Sequence, residues 1–330
     1  MERQDRGAIT LGLVLPPYDE PARLWEAARA ADQQGFHSVW VTDATLPGYP
    51  WLDGLPVLGG LAATTRTVQL GTSIFVPARR NPVLLAHTLT TLDFLSGGRL
   101  IFGVGVGEEA LRPQEYAIAG VPMAQRGAVT DEYLDLLRRL WTEPAVTHEG
   151  RHFRCGEIAL EPKPVRGGKI PTWIGGKAQA SLRRAAAHGD GWLPTLLTAD
   201  EYRRLWGRLD EYLGAAGREA ASMTGGIYTF AAIGDTREQA RAVLAPGVEA
   251  IFRAPFAPFE PLCILGTADD WLEQVGRFAE AGARHVNVLL YTRDLVGDVG
   301  RIGQEVIPRL ATPEPASAQP AAPAIGQALS

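Results

Sequence analysis

Apolar positions along the chain alternate between two rhythms. Short runs that are apolar on both faces recur at ITLGLVL (9–15), SVWVT (38–42), VQLGTSIFV (68–76), LIFGVGV (100–106), TWI (172–174), GWL (191–193), GIYTFAAI (226–233) and HVNVLL (285–290). Such runs are the signature of parallel strands buried on both sides. Between them the period lengthens to that of a helix. Leu24, Ala27, Ala28 and Ala31 share one face, with Gly35 as a stop. The span 82–95 opens on a proline, whose missing N–H costs nothing at a helix start. In 127–141, Val129, Tyr133, Leu136, Leu137, Leu140 and Trp141 line one side. Further helices are expected at 178–188, from a Thr198/Glu201 capping box to about 214, after Asp235 and Glu238, over 267–282, and over 299–310.

Eight strand–helix units across about 300 residues predict an α/β fold, a (β/α)8 TIM barrel, with an open doubly wound sheet as the rival. Three stretches, 107–126, 144–171 and 245–266, exceed simple connections and read as insertion loops beside the barrel's working face. The last twenty residues, ATPEPASAQPAAPAIGQALS, have no bulky periodicity and one charge, so 311–330 is expected to be a disordered tail behind one domain over 1–310.

Composition narrows the functional classes. Thirty-two basic and 37 acidic residues give a net charge of −5, which argues against a nucleic-acid or anionic-membrane partner. Cys155 and Cys263 are far apart and form no metal-ligand spacing. No apolar run approaches 18 residues and the first residues are polar, so a cytoplasmic location is expected. A small-molecule enzyme is the class left. No G-x-S-x-G or H-E-x-x-H motif supports hydrolysis, and His148 and His152 lack a third ligand for a metal.

The chemistry-bearing candidates are backbone features. Gly103-Val104-Gly105-Val106-Gly107-Glu108 closes the fourth strand, where bare backbone can approach an anion or a flat ring. Ile174-Gly175-Gly176-Lys177-Ala178 joins a strand directly to a helix, so free N–H groups and the positive helix end would converge on a phosphate. Gly71-Thr72-Ser73-Ile74 puts a glycine inside a strand, as a bulge or a close ligand approach would require. Asp43 ends the second strand. In a barrel all these strand ends open onto one face.

The blocks LGTSIFVPARRNPVLLAHTLTTLDFLSGGRLIFGVGVG, EPKPV and IPTWIGGKAQASLRRAAAHGDGWLPT resemble the bacterial luciferase-like flavin and deazaflavin oxidoreductases. The resemblance implies a TIM barrel, a homodimer, and either coenzyme F420 or FMN at the C-terminal strand ends. It implies a cis peptide at Ser73–Ile74 against the cofactor ring. Thr72, Val106, Gly107, Glu108, Gly175, Gly176, Lys177, Ala178 and Thr195 are the implied cofactor contacts, with Asp43 among them. Asp43 and Glu108 match acids near the reacting centre of the sugar-phosphate dehydrogenase members. Those members follow the aspartate with a catalytic histidine; here Ala44 stands instead. The expected activity is hydride transfer between the deazaflavin C5 and a less polar organic substrate, held in an apolar pocket to which Trp51, Leu52, Phe252, Phe256 and Phe259 would contribute. An FMN-dependent monooxygenase and a cofactor-less binding protein of the same fold are the alternatives.

Overall fold

Parallel pairing joins the apolar runs edge to edge into a closed ring. The structure, a computed structural model, describes residues 9–44, 48, 50–107 and 113–310. The expected tail therefore lies outside the described residues. In chain order the elements are β1 (Thr10–Val14), α1 (Pro21–Gln33), β2 (Ser38–Val41), α2 (Gly54–Thr64), β3 (Gln69–Thr72), α3 (Pro82–Ser96), β4 (Leu100–Val104), α4 (Pro113–Ile118) and α5 (Arg126–Thr142). There follow β5 (Val146–Glu149), β6 (Arg154–Ile158), β7 (Thr172–Gly175), α6 (Gln179–His188), β8 (Gly191–Leu193), α7 (Ala199–Ala215) and β9 (Thr224–Ile233). The chain finishes with α8 (Arg237–Phe252), β10 (Ile264–Gly266), α9 (Ala268–Glu280), β11 (His285–Leu290) and α10 (Leu295–Glu305).

The barrel runs β1-β2-β3-β4-β7-β8-β9-β11, all parallel, and closes where Thr10 meets His285 and Gly191 meets Thr224. β10 adds to the outer half of β9, with Ile264 opposite Ala231. β5 and β6 form an antiparallel hairpin inside the insertion at 144–171. No helix among the described residues is long and apolar enough to cross a membrane.

Strand alternation divides the apolar side chains between two cores. Leu11, Leu13, Val39, Leu70, Phe102, Ile174, Trp192, Ile227, Val286 and Val288 point outward and pack under the helices. Val14, Trp40, Ile101, Trp173 and Leu193 point inward and plug the barrel. Beneath this plug lies a polar floor. Trp40 Nε1 donates to Ser38 Oγ at 2.6 Å, and His285 Nε2 sits 3.1 Å from Ser38 Oγ and 2.7 Å from Asn287 Oδ1. Gly12 leaves room for these groups, since a Cβ there would come within 2.2 Å of Asn287 Oδ1. Burial pushes the His285 imidazole down to about 3, so it is neutral. With the floor sealed, the open end is the C-terminal one.

Several local expectations differ from the structure. α2 has no counterpart in the sequence reading, because its three glycines and a proline hide the helical period. α8 is capped by Thr236, which accepts from Gln239 N–H, and not by Asp235. The last helix begins at Leu295, capped by Asp294, and ends at Glu305. The third strand stops at Thr72, four residues before the apolar run does.

Candidate active site

β3 ends where the chain passes through a cis Ser73–Ile74 peptide. It then rejoins the barrel: Phe75 N–H donates to Gly103 O and Gly105 N–H donates to Phe75 O, each at 2.8 Å. Thr72 Oγ1 is committed to this bulge, donating to Gly103 O at 2.8 Å. The Ile74 side chain enters the space that two glycines leave. A Cβ on Gly105 or Gly175 would come within 2.1 or 2.4 Å of Ile74 Cδ1. Gly71 yields in the same way to the Trp40 ring, 2.3 Å from where its Cβ would stand. The bare backbone at 71, 105 and 175 is thus explained by neighbouring side chains before any ligand is considered.

What these neighbours leave unexplained is polar. The hydroxyl oxygens of Thr42, Ser73 and Thr195 are buried without a hydrogen-bond partner among the described residues. They follow β2, β3 and β8 respectively, so all three stand at the C-terminal mouth. A buried hydroxyl left unpaired is costly, so three around one opening mark where a guest would complete them.

The mouth also holds an anion site in the making. α6 starts just after Gly176, whose φ of +96° favours glycine, and its N-cap Ala178 offers no side-chain acceptor. α2, α3, α7, α8, α9 and α10 are each capped by a side chain, whereas α1 and α5, like α6, are not. An uncapped helix start presents free N–H groups to a phosphate. Lys177 flanks it, its Nζ donating to Leu196 O at 3.1 Å. Just beyond the neighbouring strand β4, Val106 O accepts from Tyr116 Oη of α4, and Gly107 has φ +67° with Tyr116 against it. Glu108 lies outside the described residues.

Asp43 is at the mouth with its oxygens engaged. Its carboxylate accepts from Val76 N–H at 3.1 Å, Arg79 Nη2 at 2.8 Å and Arg80 Nη2 at 3.1 Å. Arg79 pairs on its other side with buried Glu115, while Arg80 reaches Asp53 and lies 4.4 Å over the Phe75 ring. This network ties the segment after the cis peptide to β2. It also walls a separate cavity of about 370 Å³ bounded by Arg80, Asn81, Pro82, Val121, His152 and Phe153.

The mouth therefore gathers Asp43, Ser73, Ile74, Gly107, Gly175 to Ala178 and Thr195, as the sequence reading expected, with Thr72 turned into the bulge. It adds Thr42, Arg79 and Arg80, which carry no motif; only their closeness to Asp43 and Ser73 in sequence hinted at them. The apolar wall differs from expectation. Phe252 and Phe259 stack on each other at 4.5 Å, and Phe256 is buried in a satellite core with Phe230, Leu244 and Cys263. These aromatics fill their own core, and Tyr228 and Leu289 pack against both it and the barrel plug.

A TIM barrel with unpartnered hydroxyls and an uncapped helix at its C-terminal mouth belongs to the class of barrel enzymes that take a polar, anion-bearing small molecule there. The family model for luciferase-like monooxygenases matches residues 4–284, and the chain belongs to that family. An F420-dependent glucose-6-phosphate dehydrogenase of Nakamurella multipartita is 28% identical over 323 residues, covering 88% of this chain and 93% of the relative. The F420-dependent tetrahydromethanopterin reductase of Methanopyrus kandleri superposes with a TM-score of 0.80 at 21% identity, over 92% of this chain and 99% of that one. The monooxygenase RslO1 of Streptomyces bottropensis does so with 0.79 at 23%, over 91% and 99%. A deazaflavin enzyme and a monooxygenase thus share this fold almost equally.

Proposed function

We propose that this protein is a coenzyme F420-dependent oxidoreductase that moves a hydride between the deazaflavin and an organic small molecule. The observation that carries the reading is the coincidence, at one mouth, of three unpaired buried hydroxyls with an uncapped helix start. The near full-length relative named for F420 supports the deazaflavin over FMN. When bound, the cofactor supplies at its C5 the carbon that gives or takes the hydride.

The chain's own residues supply binding, orientation and proton handling. Thr42, Ser73 and Thr195 complete the hydrogen bonds of the ring's polar edge, and Ile74 backs the ring and excludes water. Gly107, Gly175 and Gly176, with the N–H groups from Lys177 onward, take the linker and phosphate. Asp43 is a positioning residue that holds Arg79 and Arg80. The family resemblance and the charge-free α2 support a homodimer. α3 is equally bare of exposed charge, its single acid, Asp93, being buried, and its outer face shows Leu84, Phe94 and Leu95 at 69%, 51% and 59% exposure.

Fluorescence titration with F420 and, separately, with reduced FMN tests the assignment. Micromolar binding of F420, with FMN weaker by tenfold or more, is expected. Binding of FMN alone would transfer the protein to the monooxygenases, the reading that the likeness to RslO1 favours. Binding of neither would leave a cofactor-less binding protein.

A further inference from the structure

Tyr228 belongs to β9, on the wall of the barrel opposite Ile74. In the ring of eight strands β3 and β9 stand four places apart, so a flat group backed by Ile74 turns its free face toward β8, β9 and β11. Neighbouring side chains on β9 point outward, Ile227 and Ala231 into the main core. Tyr228 points inward, onto the plug of Val14, Trp40, Ile101, Trp173 and Leu193. The plug is solid, with Trp40 fully buried, and Tyr228 is half-buried between it and the satellite core of Phe230, Leu244 and Cys263. Its register fixes it beside a candidate ligand group: Tyr228 bridges Thr195, two residues beyond β8, and its N–H donates to Pro194 O at 2.8 Å. Phe230 props it from the next inward position, with ring centroids 5.8 Å apart.

Its hydroxyl is the feature that needs a function. Tyr116 spends its proton on Val106 O, and the Tyr133 and Tyr202 hydroxyls are sealed in the core. The Tyr228 hydroxyl meets no hydrogen-bond partner among the described residues, and the residue is only half-buried. Burial keeps the ring a neutral phenol across the working pH range. Asp43 has both oxygens engaged by arginines, and Ala44 beside it carries no proton.

We propose that Tyr228 is a catalytic residue that hydrogen-bonds a carbonyl oxygen of the substrate and gives it the proton that balances the hydride. This rests on the hydride-transfer reading above. In the reducing direction the C=O π bond breaks as hydride from the reduced deazaflavin forms the new C–H bond. The electron pair moves to oxygen, which takes the Tyr228 proton. An alkoxide is a stronger base than a phenolate, so that transfer runs downhill, and solvent at the exposed edge restores the phenol. The substrate class is thereby a ketone or aldehyde, or the corresponding alcohol in reverse.

The test uses acetophenone as an uncharged ketone probe on the F420-loaded protein, with infrared detection of its carbonyl stretch. F420 affinity is titrated first on each variant. In the unaltered protein the stretch should fall below its value in an apolar solvent. In Tyr228→Phe that downward shift should vanish and acetophenone should bind roughly 3- to 10-fold more weakly, the worth of one hydrogen bond, while F420 affinity stays within about twofold. Tyr291, just after β11 with its ring 5.9 Å from that of Phe230, is the control: Tyr291→Phe should keep the shift. Persistence of the shift in Tyr228→Phe, its loss in Tyr291→Phe, or failure of acetophenone to bind would overturn the proposal. Failure of the unaltered protein to bind F420 would instead overturn the function on which it rests.

Discussion

Ile74 and the glycines around it show how little chemistry a residue needs to shape a cofactor site. Gly103 and Gly105 are two residues apart on one strand and its extension, yet substitution at each has a different consequence. A Cβ on Gly103 would lie 1.8 Å from Thr72 O, a backbone atom held in the bulge. A Cβ on Gly105 meets only the tip of Ile74, which can swing into the mouth. Gly103→Ala should therefore cost about 3 kcal/mol or fail to fold, in the upper range for overpacking. Gly105→Ala should change the urea midpoint little and weaken F420 binding by tenfold or more. Unfolding and fluorescence titrations on the pair separate the two effects. From sequence these glycines could be found but not explained, because the side chains that fill their space, Trp40 and Ile74, come from other strands. Tyr228 left no trace at all, and Thr42 only its closeness to Asp43: one hydroxyl among many gains meaning only when its partners are seen to be missing.

Elements were more legible than residues. Each of the eight barrel strands could be read from runs apolar on both faces, because each is covered by the plug on one side and helices on the other. α2 was hidden by Gly59, Gly60 and Pro56, residues that cost helix propensity and are tolerated where tertiary packing supports the helix. α6 offers an element-level test. Ala178→Asp would place a carboxylate at its bare N-cap, which should stabilise the helix by roughly 1 kcal/mol. The same carboxylate would occupy and repel at the phosphate site, so F420 affinity should fall at least tenfold while the melting temperature rises. A rise in both would remove the helix start from the site.

The floor where β1, β2 and β11 begin makes a pH prediction. His285 is neutral in the fold, with its pKa pushed down to about 3 by burial, whereas an unfolded histidine binds a proton below about 6.5. The unfolded state therefore takes up more protons on acidification, and this contribution to stability, fully present above pH 6.5, is lost as pH falls toward 3. The slope is about 1.4 kcal/mol per pH unit for such a group. Urea midpoints at pH 7, 6 and 5 should fall faster in the unaltered protein than in His285→Gln.

At the scale of the molecule, closure of the barrel and sealing of its floor leave one end for chemistry, and the insertions gather there. The alternation of periods carried the topology, while the insertions kept their contents: a hairpin in 144–171, and in 245–266 the end of α8, a satellite aromatic core and β10. The proposed homodimer would cover the two adjoining helices that lack exposed charge. Sedimentation velocity should give a dimer for the unaltered chain and a monomer for Leu84→Asp, and a monomer in both would leave the apolar face of α3 without this explanation.

The central claim is that the C-terminal mouth takes the deazaflavin, with its ring against Ile74 and its phosphate on α6. Hydrogen–deuterium exchange with and without saturating F420 tests this most directly. Slower exchange is predicted at 73–76, 105–107 and 177–180. No change there, or protection confined to 119–122 and 152–153 beside the separate cavity, would contradict the account.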